Sequence, residues 1–206
     1  MSRLPAMRAV SIMAGAISIG IAIAFALPAS GQEQSLFPPM VEDVAPGVDH
    51  GNSSDKVADD FQRQAVYYRS QYPAGTIIVE TSERHLYLVE SETRAIRYGI
   101  GVGRDGYTWA GLLKITRKSE WPDWVPPPEM IARQPYLPRF MAGGPGNPLG
   151  ARAMYLGSTV YRVHGTNAPE TIGHAVSSGC FRLVNDDVID LYDRVNVGTR
   201  VIVHQN

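Results

Sequence analysis

Residues 164–182 read HGTNAPETIGHAVSSGCFR and contain the only cysteine of this 206-residue chain, Cys180. A thiol is a strong nucleophile only when it is ionised, and an unassisted cysteine is mostly protonated near pH 7. An imidazole close to the sulfur can take that proton. A cysteine at a glycine-rich turn, with His164 presented from the end of a predicted strand, therefore forms a workable nucleophile–base pair.

The turn before Cys180 is suited to binding a substrate closely. Gly179 lets the backbone turn sharply and approach a substrate closely, because it has no Cβ. Amides at such a turn can also face a developing oxyanion. Two structural alternatives remain open from the residues alone: Cys180 as a buried, unreactive thiol and His164 as a core histidine with satisfied hydrogen bonds.

Outward from this stretch the sequence is typical of short strands. Apolar alternation and β-branched residues predict strands at residues 75–81, 84–90, 93–101, 111–118, 153–157, 159–163 and 199–203. The first three are expected to form a meander. Residues 185–195 have the spacing of an amphipathic helix that begins at Asn185. Residues 121–150 are rich in proline and glycine and predict a long ordered loop, which in a compact domain is often functional.

The N-terminal part predicts export. Residues 1–31 have an Arg3/Arg8 positive region, an almost wholly apolar stretch at 9–27 and small residues after it, which indicates a signal peptide or an uncleaved membrane anchor. Residues 32–72 are predicted as a linker and a short lead-in segment. Within it, residues 55–70 have near-helical apolar spacing and predict a short helix, although Tyr67 and Tyr68 suit a strand equally well.

Charge and cysteine content exclude several classes of protein. The 19 basic and 20 acidic residues nearly cancel, which argues against nucleic-acid binding. A single cysteine cannot form an internal disulfide, and a lone thiol in an exported protein is exposed to oxidation. Either Cys180 is a buried, inert residue or its reactivity is the reason for its presence, and the surrounding sequence decides between the two.

The pattern of His-Gly, then about a dozen residues, then Ser-x-Gly-Cys-x-Arg resembles the signature of YkuD-type L,D-transpeptidases. The resemblance covers roughly residues 73–204. Residues 75–79 with 86–89 look like the family's opening hairpin, residues 98–103 like its next strand, and residues 147–150 like its Asn-Pro-Leu-Gly element. Many members carry a histidine directly before the Gly-Cys pair, where this chain has Ser178. A role assigned to that second histidine does not carry over.

This resemblance implies a mainly β domain at residues 73–206, with sandwich-like mixed sheets, a long Pro/Gly-rich loop and one C-terminal helix. It implies that Cys180 is the nucleophile and that His164 is the base and later the acid. Gly179 and Cys180 would lend backbone amides, and Ser177 and Ser178 belong to the same oxyanion loop.

The substrate-binding residues follow less directly from the resemblance. Arg182 either supports the catalytic loop or meets a substrate carboxylate, because its planar fork suits both. Gly165, His174 and Tyr155 are further candidates for substrate binding. Tyr161, Trp109, Trp121 and Trp124 are compatible with the lining of a cleft or with core packing.

A metal site is a poor alternative. The spacings between His164, His174 and Cys180 match no common structural zinc pattern, and a fourth ligand is not evident. Neither a metal nor a cofactor is expected.

The activity that the resemblance implies is peptidoglycan remodelling in the periplasm or cell envelope. The enzyme would form a thioester at the third residue of a stem tetrapeptide, release D-Ala and pass the acyl group to an amine of another stem, an envelope protein or a D-amino acid. Water as the acceptor would give an L,D-carboxypeptidase. Two competing interpretations are a catalytically silent peptidoglycan-binding module and a general cysteine protease. The protein is expected to act as a monomer.

Overall fold

The computed structural model of the protein describes residues 57–205. The predicted signal peptide or anchor and the linker up to residue 56 lie outside the described residues. Between residues 57 and 205, no helix is long and apolar enough to cross a membrane.

Eleven strands and two α-helices make up the described part of the chain. The strands are β1 (Gln64–Tyr67), β2 (Ile77–Glu80), β3 (His85–Ser91), β4 (Arg94–Gly99), β5 (Val102–Gly103), β6 (Gly111–Glu120), β7 (Arg152–Leu156), β8 (Arg162–His164), β9 (Ala175–Ser177), β10 (Phe181–Arg182) and β11 (Arg200–His204). The helices are α1 (Pro128–Arg133) and α2 (Asn185–Arg194), and single 3₁₀ turns lie at Asp59–Phe61 and Pro169–Thr171.

Nine of these strands are hydrogen-bonded in the order β1-β4-β3-β2-β11-β6-β7-β8-β10, and β5 pairs separately with β9. The long strand β6 belongs to both halves of this order. Its first residues pair with β11 and its later ones pair with β7, and the β6–β7 pairing has a register shift between Ile115 and Arg117. Such an irregularity bends a strand, so the two halves can face each other. Their facing sides, together with Val188 and Leu191 of α2, form one apolar core.

The pairing is mixed, as predicted. The β2-β3-β4 meander is antiparallel, whereas β2–β11, β8–β10 and β5–β9 are parallel. This confirms a mainly β fold of mixed sheets. The long loop at residues 121–150 was predicted without helix, but it contains α1, whose first residue is Pro128. Proline suits this position because its missing N–H would have no partner in the first turn.

Helix α2 is held on the sheet by apolar packing and by one polar contact. Val188 and Leu191 are buried, and Val195 follows them just after the helix. The Tyr98 hydroxyl donates a 2.7 Å hydrogen bond to Asp190 Oδ2, and Tyr98 itself is fully buried. The predicted helix at 185–195 is therefore confirmed.

The predicted helix at residues 55–70 is wrong. The part described has a single 3₁₀ turn followed by β1, which pairs antiparallel with β4. Residues 57–72, here called the lead-in segment, cover two small apolar clusters instead of forming a helix of their own. Val57 and Phe61 pack against Ile172 and Val184. The second cluster packs under Val66, Tyr68 and Tyr72 and contains Ile78, Tyr87, Val89 and Ala95. Tertiary pairing thus overrides a weak local preference.

The strand predicted at 159–163 is shifted. Thr159 lies in the preceding turn, where its hydroxyl donates 2.7 Å to the Leu156 carbonyl, and β8 runs from Arg162 to His164. Strands β5, β9 and β10 have only two or three residues each, which is too short for an alternation pattern to reveal.

We expect Tyr98→Phe to lower the free energy of unfolding by about 1–2 kcal/mol, because it removes a buried hydrogen bond to a carboxylate and leaves the ring packing intact. Urea denaturation measures this change. Tyr67→Phe is the matched control, since the Tyr67 side chain is 78% exposed and should tolerate the change. Equal free energies of unfolding for the two variants would show that the Tyr98–Asp190 hydrogen bond does not stabilise the fold.

Candidate active site

A cavity of about 340 Å³ contains both residues of the predicted nucleophile–base pair. One wall is formed by β8, β10 and the turn before β10. The opposite wall comes from the long loop, with Trp124 and Leu149, and from Glu129, Met130 and Arg133 of α1. The predicted long loop thus closes the cavity from above the strands.

Parallel pairing of β8 with β10 builds the first wall. Val163 pairs with Phe181 and His164 with Arg182, so two segments far apart in sequence run side by side. Val163 and Phe181 are both buried in the core. Since side chains alternate along a strand, the residues on either side of this pair face the other way.

Those alternate residues are Arg162 and His164 on β8, and Cys180 and Arg182 at and just before β10. All four line the cavity, and we call them the cavity quartet. The register places Arg182 beside His164 and, one step earlier, Arg162 beside Cys180. Cys180 and His164 therefore lie on the same wall of one cavity, as the sequence predicts, and they occupy diagonal corners of the quartet.

The His164 ring is buried and oriented by the backbone. Its Nδ1 lies 2.5 Å from the Gly165 carbonyl oxygen, so Nδ1 carries the hydrogen and Nε2 keeps its lone pair. Burial, together with the positive charges of Arg182 and Arg162, lowers the pKa of His164 to about 3, against an opposing effect of the Gly165 hydrogen bond. The imidazole is thus neutral at pH 7 and able to accept a proton.

The Cys180 thiol is partly buried and lies 3.8 Å from the Val160 carbonyl oxygen, to which it donates. Burial raises the pKa of this thiol. Arg162 opposes that effect through its charge and through the polar N–H groups of its backbone and side chain, and Arg182 opposes it through its charge. The two arginines therefore favour the thiolate, whereas desolvation favours the thiol.

The turn that carries Cys180 is closed by hydrogen bonds. The Ser177 hydroxyl donates 2.6 Å to the Cys180 carbonyl and accepts from the Gly179 amide at 3.1 Å. The Trp109 indole donates 2.8 Å to the Gly179 carbonyl, and its ring stacks on Tyr161. The Gly179 amide was predicted to face an oxyanion, but it is already engaged by Ser177.

Gly179 is required here for two reasons. Its φ is +101°, in the left-handed region, and a Cβ would lie 2.6 Å from the Tyr161 ring. Gly165 is constrained differently: a Cβ there would collide with the side chain of Asn185 at the start of α2. Gly165 acts on the site through the carbonyl that orients His164, and it is not part of the cavity lining.

The structure does not bring every predicted substrate-binding residue to the cavity. His174 is exposed, is held by its backbone to Val102 and does not line the cavity. Tyr155 lies opposite Arg162 in the β7–β8 pair but does not line the cavity, and its ring stacks with Arg117 at 3.5 Å and Arg162 at 5.3 Å. Neither residue lines the cavity, and direct substrate contact by either one stays a prediction.

Arg182 does line the cavity, and only 8% of its surface is exposed. Its backbone is fixed by a pair of hydrogen bonds with Gly101, each 3.0 Å long. Its position is compatible with both predicted roles, support of the loop and contact with a substrate carboxylate.

Sequence reasoning missed Arg162 and the α1 residues of the opposite wall. Arg162 had a detectable signal, because residues i and i+2 of a strand share a face and His164 is two positions later. Within residues 57–205 no group of three His, Cys, Asp or Glu side chains is placed to hold a metal ion.

We expect Ser177→Ala to lower the free energy of unfolding by about 1–3 kcal/mol, because it leaves the Gly179 amide and the Cys180 carbonyl without their shared partner. Ser178→Ala is the matched control. The Ser178 hydroxyl is buried and has no hydrogen-bond partner among the described residues, so its removal should be neutral or slightly stabilising. Denaturant unfolding of both variants measures these changes. A larger loss of unfolding free energy in Ser178→Ala than in Ser177→Ala would contradict the role of Ser177 in closing the turn.

The lowered pKa of His164 predicts a pH effect on stability. The unfolded chain binds a proton at this residue near pH 6.5 and the folded protein only near pH 3, so stability falls as the pH drops between these values. We expect wild type to lose about 2 kcal/mol more than His164→Gln between pH 7 and pH 5. Denaturant unfolding at the two pH values measures the difference, and parallel losses would refute it.

The carboxyl group of Asp187 has the opposite effect on the pH dependence of stability. Burial raises the pKa of Asp187 to about 6, so its protonation stabilises the folded protein as the pH falls through that value. Asp187 is present in both proteins, and its contribution therefore cancels.

Comparison with known proteins agrees with the resemblance seen in the sequence. A family model described as the L,D-transpeptidase catalytic domain (YkuD) matches residues 74–203. The chain is 41% identical over 134 residues to "Probable L,D-transpeptidase ErfK/SrfK" of Escherichia coli, which covers 61% of this chain and 42% of that relative. The chain thus spans less than half the length of the curated relatives that it matches first.

Two solved structures are also similar. L,D-transpeptidase 3 from Mycobacterium tuberculosis has a TM-score of 0.51 and 16% identity, covering 63% of this chain and 60% of that chain, and it shares the fold. A crystal structure from Brucella melitensis described as a probable carnitine operon oxidoreductase is 47% identical, covering 74% of this chain and all of that chain. Its TM-score is 0.49, and the likeness carries no argument about activity.

Proposed function

Since the chain belongs to the L,D-transpeptidase catalytic domain family, we propose that it is an L,D-transpeptidase that remodels peptidoglycan through Cys180 and His164. The observation that supports this most directly is the shared cavity. The only cysteine of the chain and a neutral imidazole with a free Nε2 lone pair line the same wall of it. A silent binding module needs neither group.

The donor in this proposal is a stem tetrapeptide. Cys180 Sγ attacks the carbonyl carbon of the third residue, and the thiol proton passes to His164 Nε2. A C–S bond forms, the amide bond to D-Ala breaks, and His164 returns the proton to the leaving amine. An acceptor amine then attacks the thioester, gives up a proton to His164 and displaces the sulfur, which takes that proton from His164 and becomes a thiol again.

The resting pair in this mechanism is neutral. The pKa of His164 is lowered to about 3, and burial raises the pKa of the Cys180 thiol, so a stable imidazolium–thiolate pair is disfavoured before substrate binds. Proton transfer then accompanies attack on the carbonyl. A neutral imidazole is the protonation state that general-base catalysis requires.

The tetrahedral intermediate carries a negative oxygen that needs donors. Because the Gly179 amide donates to Ser177, we assign this role to the Cys180 amide, at the entry to β10. Arg182 is the cation of the quartet that lies beside His164, and it is our candidate for a carboxylate of the stem peptide.

We place the acceptor against the opposite wall of the cavity, which is formed by the long loop and α1. Glu129 and Arg133 provide charges of both signs beside the apolar surfaces of Trp124, Met130 and Leu149. Another stem peptide, an envelope protein and a D-amino acid are the acceptors in this proposal, and the protein acts in the periplasm or cell envelope.

Acylation by a carbapenem tests the nucleophile. We expect intact-protein mass spectrometry to show one adduct on wild type and none on Cys180→Ala. His164→Ala should remain folded and acylate at least about 100-fold more slowly, because it lacks the base. A well-folded wild type without an adduct would favour the silent module, and unchanged kinetics in His164→Ala would remove that residue from its role.

A defined disaccharide-tetrapeptide tests the reaction. Release of D-Ala with a cross-linked product supports transpeptidation, and release with only a tripeptide product supports the L,D-carboxypeptidase. Addition of a candidate envelope protein tests whether a protein lysine accepts the acyl group. A carbapenem-reactive protein that releases no D-Ala would contradict both activities.

A further inference from the structure

Arg162 lies beside the reactive sulfur, and neither the family signature nor the sequence prediction gives it a role. It faces the cavity from β8, two residues before His164, and the β8–β10 register places it directly across from Cys180. His164 occupies the diagonal position. The position opposite the sulfur on β8 is therefore occupied by an arginine, and the imidazole lies one pair further along the strands.

The surroundings of Arg162 leave its charge available to the sulfur. Among residues 57–205 no carboxylate lies within ion-pair distance of it, and its buried Nε has no hydrogen-bond partner there. The guanidinium also lies 5.3 Å from the centre of the ring of Tyr155, its partner in the β7–β8 pair. Tyr155 in turn stacks against Arg117, 3.5 Å away on the exposed surface. An aromatic ring thus supports the cation without neutralising it.

We propose that Arg162 is a catalytic residue that binds the Cys180 sulfur and stabilises its thiolate, with Tyr155 as the positioning residue that holds the guanidinium in place. Arg162 acts in this proposal only on the ionisation of the thiol. In that step the S–H bond breaks and the proton passes to His164 or to water. This deepens the proposed function, on which it rests for the identity of the nucleophile.

The physical need for such a residue follows from the burial of the pair. His164 is neutral and weakly basic, and desolvation raises the pKa of the thiol, so the imidazole alone ionises the sulfur poorly. A guanidinium cannot accept the proton, but it lowers the free energy of the thiolate that remains. The two groups therefore have separate tasks, proton transfer for His164 and charge stabilisation for Arg162.

Several other groups face the sulfur or line the same cavity and stay constant in the test. They are Tyr107, Glu129, Arg133, Tyr161, His164 and Arg182.

Alkylation by iodoacetamide measures the ionisation of the sulfur without any transpeptidase substrate. The chain has one cysteine, so each adduct counted by intact-protein mass spectrometry reports on Cys180. We expect Arg162→Gln to raise the midpoint of the rate–pH profile by at least about one unit, which makes alkylation at pH 7 roughly tenfold slower. At high pH, where the thiol is ionised in both proteins, the rates should converge.

Three further variants make the test specific. Arg162→Met keeps an unbranched stem beside Tyr155 and decides the question where the Gln variant does not fold. Arg162→Lys retains the charge and should recover part of the shift. Arg117→Gln is the matched control: it removes an arginine from the same tyrosine and changes the net charge equally, but Arg117 does not line the cavity. Its profile should coincide with that of wild type.

The outcomes separate this inference from the proposed function. A folded Arg162→Gln or Arg162→Met protein whose profile coincides with wild type overturns the inference. The same overlap together with slower carbapenem acylation would also overturn it, and would make Arg162 a substrate contact. A shifted alkylation profile in a protein that forms no carbapenem adduct would retain the role of Arg162 and refute the transpeptidase.

Discussion

The parallel pairing of β8 with β10 is the constraint on which the cavity depends. It brings His164 and Cys180, which are sixteen residues apart in the sequence, to diagonal positions on one wall. The same pairing sends Val163 and Phe181 into the core, so the wall cannot shift register without exposing both of them. Core packing and site geometry are thus fixed by one pair of short strands.

The surroundings of the cavity quartet disfavour the charged form of His164 and, on balance, the charged form of Cys180. Burial penalises the imidazolium and the thiolate alike, and the two arginines penalise the imidazolium further while favouring the thiolate. The site therefore keeps a neutral base beside a thiol whose anion is partly stabilised. In the proposed mechanism, such an arrangement keeps the thiol mostly protonated until a substrate carbonyl arrives, which limits the reactivity of a lone cysteine.

The sequence was sufficient to predict that Cys180 and His164 lie close together, and it predicted most of the sheet. Cys180, His164 and the Ser177–Gly179 turn lie within one local motif whose chemistry can be read directly, and the β2-β3-β4 meander follows from simple alternation. Arg162 was missed because its importance depends on the register of a partner strand of two residues. The engagement of the Gly179 amide was missed for a similar reason, since it depends on a side-chain rotamer of Ser177.

The errors outside the site have the same origin. Residues 55–70 have helical spacing, yet the open edge of β4 and the clusters beneath the lead-in segment offer more burial than an isolated helix would. Helix α1 lies among prolines that predict irregular structure, and only Pro128 at its first position suits a helix start. In both segments the conformation is determined by contacts with residues far away in the sequence.

The lead-in segment also sets the practical limits of the domain. The family match begins at residue 74, but Val57, Phe61, Val66 and Tyr68 cover apolar surface on the body of the fold. A recombinant fragment trimmed to the matched region would leave β4 as an unpaired edge and two apolar patches in water, a combination that promotes self-association. The folding unit therefore includes the lead-in segment, residues 57–72, which lies upstream of the matched region.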